Sequence, residues 1–467
     1  GNNGTQNIFS GRGEIATMVG GNQNISGGAG TVATMSGGTQ SIAKGGTGTI
    51  SSLQGGLQQV DGLAVATTVA GGTQILGSTG SLSKNVLAGG TQVIASGATL
   101  TADAAGTELV VQAAAIQSGT QVIKNGAMAN GFSLESDKAV QIVEGTAMDT
   151  VINGGVQNVS NDGETEGTII NRGTQNVNNG GFAMVTMINS GGVQNVNAGG
   201  IVMNGIVNSG GIQNINSGGV SFLGFISGGT QNIASGGDSL IVSMKDGMLN
   251  VEEGGSVCFG TISSSSDTET EEPVDYSATS ISGEHGTVDL GNISDKGTTK
   301  PGQQLTVDTL KGDTNIHINV DTITGKSDVV TIKDTTEGTQ PSLGINYDAR
   351  IDKTKGDFNW QGDIVVANTP LDVKLKTDTT EYGPVSLTPV ISQDSSGNWH
   401  LTGYKLGAST TTRMTAATHK IIDQAWFDTV NSLSKRLGDL RLGQAEADNG
   451  IWARYQRSTT RAGRGST

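Results

Sequence analysis

Residues 173–196 read GTQNVNNGGFAMVTMINSGGVQNV and contain two copies of a short repeated phrase. The phrase Gly-Gly-x-Gln-Asn-Val/Ile returns throughout residues 1–260, mostly at intervals of 16 to 20 residues. Its glutamines are Gln6, Gln23, Gln40, Gln58, Gln74, Gln92, Gln121, Gln141, Gln157, Gln175, Gln194, Gln213 and Gln231. A degenerate copy at 106–110 divides the one long interval, and a last copy has Leu249 in the glutamine position, which makes fifteen copies. Such a fixed period indicates a repeat architecture.

The side chain two residues after each glutamine is always aliphatic, as in Ile8, Val177 and Ile233. Short runs of this kind between Gly, Ser and Asn are typical of strands. One such coil cannot bury its apolar side alone, whereas stacking on the next coil buries it. The Gly pairs fit corners that need positive φ. We therefore predict an all-β protein: a right-handed parallel β-helix (β-solenoid) of about 18-residue repeats, followed by a β-rich segment and one C-terminal α-helix.

Alternation along a strand assigns the side chains of the phrase to two faces. The glutamine and the aliphatic residue share one side, so the glutamines are expected at the core edge, with amides hydrogen-bonded between coils. The asparagines point the other way and line an outer face. We take five of them as candidates for self-association: Asn158, Asn176, Asn195, Asn214 and Asn232. The same column also suits a structural amide ladder, and both interpretations stay open.

Composition limits the partners and the chemistry. Gly takes 74 of 467 positions without a Gly-X-Y period, which excludes collagen, and 34% apolar residues in register argue against disorder. The net charge of −15 disfavours nucleic acid and anionic lipid. Cys258 is the single cysteine, so no internal disulfide can form.

The repeats contain few residues that could act in catalysis. Residues 1–260 contain no His, Trp or Tyr, and their acidic residues are scattered. We therefore predict no enzymatic activity, no catalytic residue, no metal and no cofactor. The stretch Gly-Asp-Ser-Leu at 237–240 spells an esterase motif, but it follows a repeat corner and is interpreted as a repeat variant. The alternative function is a β-helix carbohydrate-active enzyme or an esterase.

The second half of the chain changes in composition. An acidic linker is predicted at 261–275, where four serines (Ser263–Ser266) are followed by four acids. A second β region is predicted at 276–412, with strands at 305–310, 315–320, 328–332, 363–367, 371–375, 385–391 and 399–404. Ile422, Trp426, Val430, Leu433, Leu437 and Leu440 form one apolar stripe, which predicts an amphipathic helix within 413–449. Residues 450–467 begin with an alternating, strand-like stretch.

Together these motifs resemble AIDA-type self-associating autotransporter adhesins of Gram-negative bacteria. The resemblance rests on the repeats, on Asn398-Trp399-His400-Leu401, on Leu433–Arg441 and on Gly450–Arg454. It implies a passenger solenoid at 1–260, an autochaperone-like region at 276–412, a linker helix at 413–449 and a truncated first strand of a translocator barrel at 450–467. The expected localisation is the cell surface, anchored to the outer membrane through a missing C-terminal β-barrel or released. This fragment, without a signal peptide and most of the barrel, is not expected to insert in a membrane.

The resemblance also implies a function and partners. The expected function is a cell-surface adhesin that mediates autoaggregation, biofilm formation and host-cell attachment, with copies of itself and the host cell surface as partners. Some members of the family carry heptoses on Ser or Thr of the repeats, so a heptosyltransferase is a further partner. The serines at the matching corner position are Ser26, Ser36, Ser190, Ser209, Ser217, Ser227 and Ser235. Turn formation explains these serines equally well.

Overall fold

The computed structural model describes residues 4–101, 115–260, 275–283, 285–290, 301–321, 325–347, 358–382, 384–419 and 422. Its strands are short, and most of them stack in parallel on the coil before and the coil after. The strands of the repeats are β1 (Thr5–Ile8), β2 (Arg12–Met18), β3 (Asn22–Ile25), β4 (Gly28–Met35), β5 (Thr39–Ile42), β6 (Gly46–Leu53), β7 (Leu57–Val60), β8 (Leu63–Val65), β9 (Thr68–Val69), β10 (Thr73–Leu76), β11 (Ser81–Ser83), β12 (Val86–Ile94), β13 (Thr99–Thr101), β14 (Ala115–Ile123), β15 (Met128–Asn130), β16 (Ser133–Leu134), β17 (Ala139–Val143), β18 (Thr146–Met148), β19 (Val151–Ile152), β20 (Val156–Val159), β21 (Glu164–Glu166), β22 (Ile169–Ile170), β23 (Gly173–Val177), β24 (Phe182–Met184), β25 (Met187–Ile188), β26 (Gly192–Val196), β27 (Ile201–Met203), β28 (Ile206–Asn208), β29 (Ile212–Ile215), β30 (Val220–Ser227), β31 (Thr230–Ile233), β32 (Asp238–Lys245), β33 (Gly247–Val251) and β34 (Ser256–Phe259).

The strands that follow are β35 (Asp275–Ser282), β36 (Thr287–Asp289), β37 (Gln304–Lys311), β38 (Asn315–Asp321), β39 (Lys326–Ser327), β40 (Val329–Thr335), β41 (Ser342–Tyr347), β42 (Phe358–Asn368), β43 (Lys376–Thr377), β44 (Thr380–Tyr382), β45 (Val385–Gln393) and β46 (Asn398–Ala408). Residues 410–419 are helical. The predicted fold class is confirmed: the described chain is a β-solenoid with a spacing of about 18 residues and a helix near its C-terminal end.

Each complete coil contributes one strand to each of three parallel sheets. Sheet one carries the glutamines and runs from β1 through β20, β23, β26 and β29 to β33. Sheet two includes β21, β24, β27 and the start of β30, and sheet three includes β22, β25, β28 and the end of β30. The register is strict: Gln175 pairs with Gln157 on one side and with Gln194 on the other. Identical side chains therefore stack along the rod.

The core is a set of aliphatic columns inside the three sheets. Val177, Ile188 and Val202, one from each sheet, are fully buried. Burying each such side chain contributes about 1.5–3 kcal/mol, so stacking supplies the stability that a single coil lacks. The corner glycines allow the coils to approach each other: a Cβ added to Gly211 would lie 2.4 Å from the backbone oxygen of Ile188.

The predicted degenerate copy at 106–110 lies outside the described residues. Gln92 of β12 lies directly opposite Gln121 of β14, and their side-chain amides are hydrogen-bonded at 2.9 Å. The glutamine ladder of the described residues therefore passes directly from Gln92 to Gln121.

Parallel stacking continues past the last repeat. β33 pairs with β35, β35 with β37, and β37 with β40, all in parallel. Larger side chains take the core positions here, with Tyr276 buried and its ring 4.9 Å from that of Phe259. The end of the described sheet is antiparallel, where β46 pairs with both β42 and β45. The domain boundaries given above remain predictions.

Four sequence predictions in this half are either wrong or lie mostly outside the described residues. No strand forms at 371–375; Leu371 is 62% exposed in a turn, because the segment leads from β42 to β43 along the surface. The predicted acidic linker lies outside the described residues apart from Asp275, which starts β35. The predicted amphipathic stripe at 422–440 and the predicted strand after 450 also fall outside them, except for the exposed Ile422.

Candidate adhesive flank

The predicted asparagine column forms a continuous hydrogen-bonded ladder on the outer side of sheet one. Each side-chain Nδ2 donates to the Oδ1 of the asparagine one coil earlier, at distances of 2.6–2.9 Å, through Asn158, Asn176, Asn195, Asn214, Asn232 and Asn250. These five bonds follow from the strict register, which brings identical amides opposite one another. The structure therefore brings all five predicted residues together in one row. The five predicted residues are half-buried.

Two more asparagine ladders flank the first, and the sequence prediction missed both. The ladder at the start of the sheet-one strand contains Asn153, Asn171, Asn189 and Asn208, with Nδ2–Oδ1 distances of 2.8–2.9 Å. The ladder at the end of the strand contains Asn178, Asn197 and Asn216, at 2.7–2.8 Å. Both occupy turns: the Asn189 carbonyl accepts the Gly192 N–H at 2.9 Å, and the Asn197 carbonyl accepts the Gly200 N–H at 2.8 Å. The spacing of 18 or 19 residues was the signal that could have revealed them.

We call these three ladders together the asparagine flank. A side-chain amide has two N–H donors and two acceptor lone pairs, and an internal ladder position uses one of each. The remaining N–H and lone pair of each amide are available to an outside partner, once per coil, or about every 4.8 Å. Arg172 is the only charged residue between 167 and 237. Over residues 167–237 the flank is therefore a nearly neutral, regular array of donors and acceptors on an acidic protein, whereas at its start Nδ2 of Asn153 donates to the Glu135 carboxylate.

A ladder of glutamine amides lies behind the asparagine flank and holds the flank in place. The thirteen glutamines bond in series, each Nε2 donating to the Oε1 of the coil before at 2.6–3.0 Å. All of them from Gln23 onward are buried, as predicted for the core edge. Because buried amides cost free energy when unpaired, this ladder fixes the register on which the outer ladders depend.

The seven corner serines predicted as glycosylation candidates are all exposed. The structure brings them together only in pairs of neighbouring coils. Ser190 and Ser209, for example, occupy equivalent corners, each followed by a glycine with positive φ. Such hydroxyls stand out from the rod and can be reached by a large partner.

The Gly-Asp-Ser-Leu stretch belongs to the core rather than to a cleft. Ser239 is 5% exposed, and its hydroxyl donates to Oε1 of Gln231 at 3.0 Å. It thereby takes part in the glutamine ladder. This contact favours the repeat-variant interpretation of the motif over the esterase alternative.

One buried acid lies away from the flank. The carboxylate of Asp328 is fully buried and accepts N–H bonds from Gly302 and Gln303 at 2.8 and 2.9 Å, and from the backbone and side chain of Asn319 at 2.8 and 2.9 Å. Burial raises the pKa of Asp328 to about 6, although the four N–H bonds favour its ionised form. The pKa of Asp394 is lowered, chiefly by a hydrogen bond with His400 at 3.1 Å.

The described residues form a parallel β-solenoid with the asparagine flank on one side, and comparisons with known proteins show what this chain is similar to. No family model matches the chain. The serine protease Pet autotransporter of Escherichia coli O44:H18 (strain 042 / EAEC) is 36% identical over 172 residues, which cover 34% of this chain and 12% of that protein. Serine protease EspP of Escherichia coli O157:H7 is 31% identical over 180 residues, or 37% of this chain and 13% of the relative. These relatives confirm the predicted resemblance to autotransporter passengers.

Two solved structures overlap more of the chain at lower similarity. A crystal structure of a TibC-catalysed hyper-glycosylated TibA fragment covers 80% of this chain with 19% identity and a TM-score of 0.26. The Haemophilus influenzae Hap adhesin covers 85% with 11% identity and a TM-score of 0.30. Scores this low do not by themselves establish a shared fold.

The relatives correct one prediction. A chain without enzymatic activity was expected because residues 1–260 contain no His and only scattered acids, but the curated relatives are named serine proteases. The chain spans only 6–13% of the length of these relatives. The relationship to autotransporters associates the protein with the bacterial surface or outer membrane. Within the described residues, no helix is both long and apolar enough to cross a membrane.

Proposed function

We propose that the chain is part of a cell-surface adhesin whose rods associate with copies on neighbouring cells through the asparagine flank. The observation that carries this proposal is the set of three parallel amide ladders, each with one spare donor and one spare acceptor per coil. Each hydrogen bond between two flanks contributes only about 1 kcal/mol. Many coils per rod and many rods per cell turn these weak contacts into stable adhesion.

The neutrality of the flank supports association between like copies. The whole chain carries −15, which opposes contact between two rods, but residues 167–237 contain one charge only. Two flanks can therefore meet without placing carboxylates opposite each other. In cells, this association leads to autoaggregation and biofilm formation. Attachment to host cells through the same display is part of the proposal.

A charge introduced on the flank tests this proposal. Thr174 and Ile212 lie on the outer side of sheet one, two coils apart, and take no part in the ladders. We expect Thr174→Glu/Ile212→Glu to abolish the settling of cells that display the protein, while the purified protein keeps its β-sheet circular dichroism. Ser243→Glu, an exposed position on sheet three, is the matched control and should settle like the unmodified protein. Normal settling of the double variant would contradict the proposal.

We also propose that a heptosyltransferase modifies the exposed corner serines Ser190, Ser209, Ser217, Ser227 and Ser235, and, in the N-terminal coils, Ser26 and Ser36. Their exposure supports this, as does the equivalent placement of Ser190 with Ser209 and of Ser217 with Ser235 on neighbouring coils, since one enzyme could recognise equivalent corners in turn. Intact-mass measurement with and without a co-expressed heptosyltransferase tests it. Mass increments that survive replacement of all seven serines by alanine would overturn the assignment.

A further inference from the structure

An apolar surface covers the outer sides of sheets two and three over three coils. Ile201, Val185, Phe225 and Met187 are 37–43% exposed. The half-buried side chains around them are also apolar: Phe182, Met184, Met203, Ile206, Val220, Phe222 and Leu223. They lie on adjacent strands in register, since Phe182 pairs with Ile201 and Ile201 with Val220. We call these eleven residues the apolar corner. A contiguous exposed surface of this kind is typical of an interaction site.

The backbone of the corner gives a second, independent observation. The turn between sheets two and three uses the left-handed region in successive coils, at Asp149, Gly167, Val185, Asn204 and Leu223. Gly, Asn and Asp adopt this conformation at little cost, but a β-branched or bulky residue does so only under strain. Val185 has φ of 53° and Leu223 has φ of 56°. At these two positions the chain keeps an apolar side chain, exposed in Val185 and half-buried in Leu223, where Gly, Asn or Asp would make a more stable turn. This strain points to a functional requirement.

The charges at the two ends of the corner indicate the partner. Glu164 and Glu166 occupy the outer side of sheet two one coil before Phe182 and Met184, and both are exposed. Asp238, also exposed, follows one coil after Val220. A second copy in the opposite direction would bring Glu164 and Glu166 against Asp238, and this repulsion disfavours self-association through the corner. A partner with cations at both ends and apolar groups between them would complement the apolar corner and the acids at its two ends.

We propose that the apolar corner binds an extended, cationic–apolar peptide segment of another protein, laid along the rod. Four coil steps separate the rows of Glu164 and Asp238, a distance of about 19 Å, which an extended peptide spans with about six residues. Phe182, Ile201 and Phe222 contact the apolar centre of the peptide. Glu164, Glu166 and Asp238 pair with its terminal cations. This site lies on other sheets than the asparagine flank and does not depend on the function proposed above.

A synthetic peptide tests the proposal with the full chain. The probe is fluorescein-labelled, with two lysines at each end and about six residues of alternating leucine and serine between them. We expect saturable binding by fluorescence anisotropy, and binding at least about tenfold weaker for Phe182→Ser/Ile201→Ser/Phe222→Ser. Ile212→Ser, an equally exposed apolar residue on sheet one, is the matched control and should bind normally. Equal binding by the triple variant, or no saturable binding by the unmodified chain, would overturn the proposal.

Two further variants separate the charge and strain arguments. Glu164→Gln/Glu166→Gln should weaken binding severalfold and reduce its salt dependence, and a probe with glutamates in place of the lysines should not bind. Val185→Asn copies the residue that the next coil has at Asn204, so it should raise the Tm by about 2 °C or more while weakening peptide binding. A lower Tm with unchanged binding would refute the functional interpretation of the strain. If sedimentation showed that the unmodified chain dimerises and that only the triple variant does not, the partner of the apolar corner would be a second copy of the chain and not a peptide.

Discussion

Replacing one glutamine inside the buried ladder gives a direct measure of what holds the coils in register. Gln194 donates to Oε1 of Gln175 at 2.6 Å and accepts from Nε2 of Gln213 at 2.7 Å. Gln194→Leu fits the space, because Leu249 occupies the same column and is fully buried. It removes both bonds and leaves a buried acceptor on one side and a buried donor on the other.

The expected cost follows from these two orphaned groups. An unsatisfied buried polar group costs about 1–3 kcal/mol. The Gln175 oxygen keeps a contact with the Thr186 hydroxyl at 3.4 Å, and the new leucine gains some burial energy, so we expect a net loss of about 2–4 kcal/mol. The matched control is Gln231→Leu, whose next coil already has Leu249. It orphans no amide donor, and Oε1 of Gln213 keeps the Ser221 hydroxyl at 3.3 Å, but the buried Ser239 hydroxyl loses its acceptor on Gln231. The expected loss is about 1–3 kcal/mol, less than for Gln194→Leu.

Urea unfolding combined with hydrogen exchange of peptides from 173–215 measures both variants locally, which suits a repeat protein in which coils can open separately. For Gln194→Leu we expect the loss of protection to extend to the coils on both sides. A cost below about 1 kcal/mol, or equal costs for the two variants, would refute the claim that paired amides set the register.

Three other perturbations have definite expected outcomes. Because burial raises the pKa of Asp328 to about 6 from 3.8, its protonated form favours folding. The contribution of Asp328 to stability should be complete below about pH 4 and fall by up to about 3 kcal/mol as the pH rises through 6, and Asp328→Asn should remove this dependence in urea titrations at several pH values. Gly211→Ala places a Cβ 2.4 Å from a backbone oxygen and should cost about 1–3 kcal/mol, more than the same change at Gly4, which has open space; equal thermal shifts would contradict the packing argument. Cells that display the protein should settle faster in higher salt or as the pH approaches 4.7, since screening or neutralising the charge of −15 weakens the repulsion between rods. Settling rates that do not change over about a tenfold range of salt would count against association between like-charged rods.

The repeat phrase was sufficient to predict the solenoid. The glutamine and the aliphatic residue indicate which side of the strand is buried, and their recurrence gives the period of the coils. It was not sufficient for the two outer asparagine ladders, since Asn189 and Asn197 occupy turns, where asparagine is common for reasons of local geometry. The degenerate copy at 106–110 stays a prediction, because it lies outside the described residues.

The apolar corner was missed for a different reason. Phe182, Met184 and Met203 match the strand pattern equally well whether they face inward or outward, and only the placement of Ala183 and Val202 in the core assigns them to the surface. Leu371 shows the opposite error, since an apolar alternation at 371–375 predicted a strand where the chain turns at the surface. Past residue 260 the signal phrase disappears, yet Tyr276 and Leu305 continue the stacking with other side chains.

All the amide ladders share one direction: in every rung the later coil donates and the earlier coil accepts. A coil from this region, such as residues 173–191, therefore offers the same donor edge and the same acceptor edge as its neighbours. Duplicating or deleting it by recombination would join matching edges and require no compensating change. The reach of the molecule from the cell can thus evolve in whole-coil increments while its chemistry stays constant.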